Sequence, residues 1–414
     1  MAASQVSMAQ ANLAARAQVL AQSVDVIQNV TQGTGTYNPA NTPTVVLEPK
    51  KTGLTMGFYI DVAATFTNFA ATAPGDLYIT EQGIANIFDS ITLTDFNGIT
   101  RINDVSGFAL SMLNFLRFRS PIGSLNQKTS NATANTTNSV SDFSSKYNTV
   151  NVPQVITGST VSNPQTAYFT LYLPLAYSPT DLRGAIYTNT SDAAMNISLH
   201  FNTNIFSTVT ATAPYVTTGA PGAVYANAVL ANVAMTSVTI TARQDYLSNL
   251  PAWTSAYPTQ FNQYGILVPG GDLSVLYQYT KSLATQTLAA GETTEIPYAP
   301  QRSYLTSLLV YNNGNQLNNG TDINTIGISG ANQFPFLQAD PKFLSQQVEL
   351  NYGVDLPSGT YLIDRRHAPI NTINYGNMYI TFNPSLVNAG ATITRYDEFF
   401  AYTGITNTAQ SIGA

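Results

Sequence analysis

The chain is dominated by short segments in which Val, Ile, Thr, Tyr and Phe alternate with polar residues. A period of two places successive side chains on opposite faces of a strand, so these segments predict strands with one buried face. Gly, Pro, Asn and Asp separate them, as is typical of turns. In the first half they occupy residues 58–67, 88–96, 167–175, 195–202 and 235–243. The pattern predicts an all-β fold for most of the chain.

A second group of strand-like segments follows a polar stretch at residues 244–251. This group occupies residues 264–269, 303–313, 359–365 and 378–384. Late in each half a similar strand occurs, NISLHFN in the first and MYITFN in the second. The similarity favours two related β-domains, although 414 residues would also fit one large all-β unit. Short strands at this spacing are typical of sandwiches and jelly rolls.

The segment before the first strands has a different period. Apolar residues recur at helical spacing on one stripe, at Leu13, Ala17, Leu20, Val24 and Ile27. Gln and Asp fill the other positions, and Arg16 is the only basic residue. This spacing predicts an amphipathic helix that ends before Gly33 and Gly35.

Charged residues are scarce, which limits the partners of the chain. They make up 9% of the sequence, against about 25% in an average soluble domain. The formal net charge is −6 and no run of Lys or Arg occurs, so we expect no direct contact with nucleic acid. A weakly charged surface also lets identical chains pack closely, because they repel one another little.

Targeting signals and disulfides are also missing from the sequence. The N-terminal segment lacks the basic and continuously apolar regions of a secretory signal, and no segment has the roughly 18 apolar residues of a membrane span. We therefore expect the chain to be made and retained in a cytoplasm. Cysteine is absent, which excludes disulfides and thiolate sites.

The residues that carry most enzyme chemistry are few and isolated. His200 lies in an alternating strand, and His367 stands beside Asp364 in a polar turn, where ion pairing explains it as well as catalysis. Asp322 is better explained by a turn than by a cation site, and Trp253 does not by itself indicate a glycan-binding face. No common catalytic or phosphate-binding motif occurs. We expect no enzyme activity, no cofactor and no metal.

Several patches, in order along the chain, closely resemble one known family, the major capsid proteins of tectiviruses, which are tailless icosahedral phages with an internal membrane. The patches include NNGNQLNNGTDIN and PSGTYLIDRRHAPINTINYGNMYITFNP, and they lie at residues 11–28, 173–186, 245–251, 312–324, 340–347 and 357–384. They are spread over the whole length and are not catalytic motifs.

The resemblance implies a specific fold, two consecutive eight-stranded jelly rolls after an N-terminal α-helix, as in adenovirus hexon. On this basis we expect a helical arm over residues 1–32, a first jelly roll over 33–246, a second over 247–403 and a tail over 404–414. The implied function is that of a major capsid protein. Homotrimers with a pseudo-hexagonal outline would tile an icosahedral shell around an internal membrane.

The resemblance also implies partners. These are neighbouring capsomers, minor capsid and vertex proteins, and the internal viral membrane, in a virion assembled in the host cytoplasm. The N-terminal helix would face the membrane or a neighbouring capsomer through Leu13, Arg16, Ala17, Leu20, Val24 and Ile27. The alternatives are a secreted glycan-binding or surface-layer protein, for which an export signal is missing, and a β-rich enzyme, for which a convergent polar site is missing.

Overall fold

The computed structural model describes residues 20–402 with gaps at 22, 31, 70–74, 81, 97, 119–151, 154, 161–163, 188–193, 211–221, 250–274, 285–287, 314–321, 331–334 and 354–355. Strands form most of the described structure, as the alternating segments predicted. Trp253, the predicted strand at 264–269 and the expected tail at 404–414 lie outside the described residues.

In the described part of the first half there are thirteen strands and one long helix. The strands are β1 (Val24–Asn29), β2 (Gly35–Tyr37), β3 (Thr44–Leu47), β4 (Leu54–Asn68), β5 (Leu77–Ile79), β6 (Phe88–Thr94), β7 (Thr100–Val105), β8 (Val155–Ile156), β9 (Gln165–Pro174), β10 (Ile186–Tyr187), β11 (Asn196–Phe201), β12 (Tyr225–Ala226) and β13 (Val233–Ser248). Helix α1 (Gly107–Phe118) lies between β7 and β8, and short 3-10 turns occupy Ile84–Ile87 and Leu230–Asn232.

Two sheets face each other across the first core. One sheet contains the path β1–β13–β4–β9, and the other contains β3–β11–β6–β7. Strand β10 also pairs with β4, β2 with β13, and β12–β5–β8 form a small separate sheet. Alternate side chains of both sheets meet in one apolar cluster, which includes Phe58, Ile91, Leu199 and Ile240. The first half is therefore a β-sandwich.

Nine strands and two helices lie in the second half, counted over the residues that the structure describes. The strands are β14 (Val275–Ala284), β15 (Thr294–Pro297), β16 (Arg302–Asn312), β17 (Ile323–Gly330), β18 (Pro335–Ala339), β19 (Thr360–Asp364), β20 (Ile370–Asn371), β21 (Met378–Pro384) and β22 (Thr392–Tyr402). Helix α2 (Pro341–Tyr352) lies between β18 and β19, and the one-turn helix α3 (Thr372–Tyr375) follows β20. The sheet paths are β14–β22–β16–β19 and β15–β21–β17–β18, and a second apolar cluster lies between them.

Both halves have the same strand order. The sheet path β1–β13–β4–β9 of the first half corresponds strand by strand to β14–β22–β16–β19 of the second. The facing path β3–β11–β6–β7 corresponds in the same way to β15–β21–β17–β18. Helices α1 and α2 also fall between equivalent strands. The two similar segments of the sequence are β11 and β21, which occupy the same position in their sandwiches. The two-sheet crossing order is that of a jelly roll, so the chain is an all-β double jelly roll.

The two sandwiches are joined side by side by one shared sheet. Strand β14 pairs in parallel with β7, through Tyr279 opposite Ile102 and Thr280 opposite Asn103. This pairing makes a continuous nine-stranded sheet from strands of both halves. The sheet β14–β22–β16–β19 consequently contacts its own core on one face and the first core on the other, as Leu309 and Leu308 show.

The prediction of an N-terminal helix is wrong for the last part of the segment, from Val24 onward. Leu20 and Ala21 are helical, but Val24 and Ile27 lie on β1, which pairs antiparallel with β13 over six residues. A free sheet edge offers unpaired backbone groups, and the β-branched residues of this segment fit a strand better than a helix. Leu13, Arg16 and Ala17 lie outside the described residues, so helix over that part stays a prediction.

Candidate functional site

The chain enters the first sandwich at one end, which we call the base. A small apolar cluster lies there and is separate from the main core. Its buried members, the base cluster, are Leu54, Met56, Ala176, Leu182, Ala185 and Leu247. Leu20 packs against this cluster from the end of the N-terminal segment. One residue of the predicted stripe therefore contacts the chain's own sandwich.

Strand β1 covers the edge of β13 immediately after this contact. Backbone pairing runs from Val24 opposite Ser248 to Asn29 opposite Arg243. Val24 and Ile27 remain 51% and 52% exposed, so the predicted stripe is not covered at these two positions. Among the described residues β1 has no strand on its other side. The attachment thus depends on one ladder and a few side chains.

A row of polar side chains crosses the sheet beside this ladder. The Tyr172 hydroxyl on β9 donates a hydrogen bond to Oδ2 of Asp245 on β13, at 3.4 Å. To do so it crosses β4 above Gly57, where a Cβ atom would lie 2.5 Å from that hydroxyl oxygen. Gly57 is therefore required by the close approach of the Tyr172 ring.

The carboxyl group of Asp245 is placed in an unusual environment. The residue is 6% exposed, and another carboxyl, that of Asp25 on β1, is among its ionisable neighbours. Burial raises the pKa of Asp245 to about 7, and repulsion from the neighbouring Asp25 acts in the same direction. A buried carboxyl beside a second acid ionises less readily than one in water, because both burial and the neighbouring negative charge disfavour its charged form.

The junction between the sandwiches contains buried charges of both signs. Arg117, on the last turn of α1, reaches the second half and contacts the hydroxyl of Tyr277 and, at 3.1 Å, that of Tyr279 on β14. Its guanidinium also donates to the backbone oxygen of Ala176 and lies 4.4 Å from the centroid of the Tyr277 ring. This one side chain links α1 to β14 of the nine-stranded sheet that both halves share.

Glu398 on β22 is the acidic centre of the junction. Its Oε1 accepts from Tyr277 at 2.6 Å and lies 4.0 Å from Arg117, and its Oε2 accepts from Arg366 at 2.9 Å and from Thr306 at 2.8 Å. Burial by itself would raise the pKa of Glu398, but Arg366 and Arg117 hold the pKa below its ordinary value. The residue stays ionised and bonds both sandwiches at once.

The residues considered for catalysis do not come together. His200 pairs with Asp89 at 2.7 Å on an outer face of the first sandwich, and His367 is exposed in a turn of the second. Asp364 bonds the Tyr352 hydroxyl and lies near Arg366, which is the ion pairing expected from the sequence.

The remaining candidate residue, Asp322, has a role in holding a turn. Asp322 accepts from Asn313 at 2.9 Å within a turn, as predicted. Within the described ranges no group of three or more His, Asp or Glu side chains could hold a metal ion. In the same ranges no helix is both long and apolar enough to cross a bilayer.

Sequence reasoning did not identify the junction, although one signal was present. Arg117 and Glu398 each lie in a segment that is mostly apolar and aromatic, at 113–118 and 396–402. In a chain with 9% charged residues, a charge inside such a run indicates a buried pair, because an unpaired buried charge is costly. The sequence does not show which charges are partners.

Comparison with known proteins agrees with this architecture. The chain matches the family described as P3 major capsid protein N-terminal over residues 1–250, and the one described as P3 major capsid protein C-terminal over 274–414. It is 32% identical over 394 residues to major capsid protein P3 of Enterobacteria phage PRD1, covering 94% of this chain and 91% of that protein.

Solved structures show the same fold at low sequence identity. The major capsid protein in the crystal structure of the STIV MCP is 11% identical, with a TM-score of 0.62, over 94% of this chain and 99% of that chain. A chain from the atomic structure of Sulfolobus Turreted Icosahedral Virus is 12% identical, with a TM-score of 0.59, over 92% of this chain and 91% of that chain. The likeness in fold and the match to the P3 family over both halves agree, and the chain belongs to the P3 family of tectivirus major capsid proteins.

Proposed function

We propose that three copies of this capsid protein form a capsomer with a pseudo-hexagonal outline, and that these capsomers tile an icosahedral shell around an internal membrane. The observation that carries the proposal is the repeated strand order of two sandwiches fixed side by side. Three such chains present six similar walls, so neighbouring contacts can be nearly equivalent all round. Eight principal strand positions per sandwich are sufficient for this arrangement.

The division of the chain follows from the same scheme. The arm comprises the residues before β1, the first sandwich extends through Ser248, and the second runs from Val275 to Tyr402. Compared with the boundaries expected from the sequence, residues 24–32 move from the arm to the first sandwich, because β1 is part of its sheet.

Exposed apolar residues supply surfaces for neighbouring chains. Leu350 and Phe343 lie on the outer side of α2, and Leu350 is 85% exposed. Val229 and Leu230 are also exposed, on the first sandwich. Burial of such side chains at an interface stabilises association by about 25 cal/mol per Å² of apolar area. Minor capsid and vertex proteins are the other protein partners, and no catalytic step or direct contact with nucleic acid is needed.

The arm has a separate role in this scheme. Leu20 anchors it at the base of the first sandwich, and Val24 and Ile27 continue an exposed apolar edge beside it. We assign the preceding residues to contacts with the internal membrane or with a neighbouring capsomer. Many weak contacts of this kind become effective together in a shell, because they engage at the same time.

Sedimentation of the purified chain tests the trimer directly. At micromolar concentration we expect a single species of three chains, and a triangular to hexagonal outline in electron micrographs. A folded monomer under the same conditions would contradict the proposal.

A truncation tests the arm separately. Removal of residues 1–19 leaves Leu20, β1 and both cores in place, so the trimer should form as in the full chain. Ordered shells around membrane should fail to assemble, while the full chain processed in parallel assembles them. Loss of the trimer would show instead that these residues belong to the capsomer core, and normal membrane-containing shells would remove the assigned role.

A further inference from the structure

We propose that Asp25 and Asp245, which we call the latch pair, form a proton-operated latch that holds β1 on the first sandwich. When Asp245 is protonated, the strand is docked; when Asp245 is ionised, its repulsion by Asp25 loosens the strand. The proposal extends the proposed role of the arm, because β1 joins the arm to the sandwich.

The geometry places the two carboxyls on opposite sides of the only described ladder that holds β1. Asp25 is opposite Leu247 and Ile27 is opposite Asp245, so the latch pair are diagonal neighbours on one face of the sheet. Asp245 is buried and Asp25 is exposed. Because β1 has one partner strand in the described structure, separation of the latch pair and loosening of the strand are the same movement.

The charged and titratable groups around Asp245 do not neutralise it. Arg243 lies on the same strand and face as Asp245, but it forms an ion pair with Asp61 of β4. The other titratable neighbours are the phenol groups of Tyr59 on β4 and Tyr172 on β9. Burial raises the pKa of both Tyr59 and Tyr172, so they remain neutral.

Lys50, which contacts β1, lies on the other side of the ladder. Lys50 donates to Gln28, whose ladder partner is Gln244, so both belong to the opposite face from the latch pair. A single hydrogen bond from Tyr172 is the main polar support for Asp245 when β1 is docked.

The direction of the pH effect follows from proton binding in the two states. With β1 docked, the pKa of Asp245 is about 7, and with β1 displaced it returns towards the ordinary value of about 4. Between these values the docked state binds the additional proton, so rising pH favours the displaced state. Docking weakens by at most about tenfold per pH unit in this window, and changes no further above it. Exposure of Asp25 makes the slope smaller through solvent screening.

The pH range over which docking of β1 weakens ends near neutral pH, so the latch can act during assembly. Around neutrality the energetic preference of β1 for the docked state is reduced, so contacts of the arm with a neighbour or a lipid surface can decide its position. Mildly acidic conditions hold the strand on the sandwich regardless of those contacts.

Hydrogen exchange of the intact capsomer tests the latch. The protection of residues 24–29 is measured from about pH 5 to about pH 8 and corrected for the intrinsic pH dependence of exchange. The variants are Asp25→Asn and Asp245→Asn, each of which removes the second ionisable carboxyl. Because Asp25 is exposed, its substitution leaves the core intact. The matched control is Glu295→Gln, an exposed acid on the second sandwich.

In the wild type and in the Glu295→Gln control, protection of β1 should fall by about three- to tenfold per pH unit up to about pH 7 and then level off. Both latch variants should show no such fall and stay protected at about pH 8. A flat wild-type profile, or a fall that persists in Asp25→Asn, would overturn the proposal. Sedimentation of the same samples reports on the trimer independently of the latch.

Discussion

The junction between the sandwiches and the attachment of β1 each contain a buried carboxyl group, and the charged groups around these two carboxyls differ in sign. Glu398 at the junction is surrounded by Arg117, Arg366 and two hydroxyl donors, which keep it ionised. Asp245 at the attachment of β1 meets the second carboxyl of Asp25, which favours its protonated form. Burial is similar in the two places, so the neighbouring charge decides the difference.

The comparison separates a permanent contact from a conditional one. A charge-compensated network that spans both sandwiches fixes their relative position, because breaking it leaves a buried charge without its partners. An uncompensated pair on an edge strand contributes little and changes with pH. The proposed capsomer would need both properties, a rigid block to tile a facet and an attachment that adapts to different neighbours.

The largest effect is expected from Arg117→Met at the junction. The substitution leaves Glu398 buried with one of its two arginines, and we expect a loss of about 3–5 kcal/mol, measured as a lower unfolding temperature of the capsomer. Lys281→Met is the matched control, since the Lys281 pair with Asp104 is partly exposed and should cost less than about 1 kcal/mol. Adding Glu398→Gln to Arg117→Met should recover part of the loss. Equal effects of the two single substitutions would show that the junction is not specially stabilised.

A smaller effect is expected from Gly57→Ala at the attachment. The new Cβ atom would lie 2.5 Å from the Tyr172 hydroxyl oxygen and 2.8 Å from the backbone oxygen of Leu173. We expect a cost of about 1–3 kcal/mol from this overpacking, in the same unfolding assay, together with a displaced Tyr172. The control is Gly35→Ala on β2, where the nearest atom to the new Cβ is 3.8 Å away. If Gly57→Ala left the free energy of unfolding unchanged, the Tyr172 ring would not lie over β4.

The smallest effect is expected from Tyr172→Phe, which removes the hydrogen bond to Asp245. That bond lowers the pKa of Asp245, so its loss should shift the end of the pH window for β1 exchange upward by less than about one unit. The general stability cost should be about 0.5–1.5 kcal/mol. Tyr168→Phe on the same strand, with an exposed side chain, should leave the window unchanged. A shift downward would contradict the assigned hydrogen bond.

The repeated fold could be predicted from the sequence because its signals are local. Alternation identified β4, β6, β9, β11 and β13, and the similar segments of the two halves proved to be the equivalent strands β11 and β21. Strand β16 was also identified, although it is buried on both faces and its residues do not alternate strictly between apolar and polar. Each of these signals depends on a few consecutive residues.

The end of the N-terminal segment was predicted wrongly because two patterns overlap there. Val24 and Ile27 continue the helical stripe of Leu20, yet the free edge of β13 outcompetes the helix for these residues. The sequence could not show that edge, which is created by residues more than 200 positions away. The junction was missed for the same reason, since Arg117 and Glu398 meet only after both sandwiches have formed.

Cryo-electron microscopy of assembled shells tests the central claim most directly, namely that a fixed double sandwich carries an adaptable arm. Symmetry-independent copies of the chain should superpose over both sandwiches as one rigid body, with Arg117 and Glu398 in contact in every copy. The segment before β1 should follow different paths in different copies, at the face of the capsomer towards the membrane. A rotation of one sandwich against the other between copies, or one identical arm path in all of them, would contradict the account.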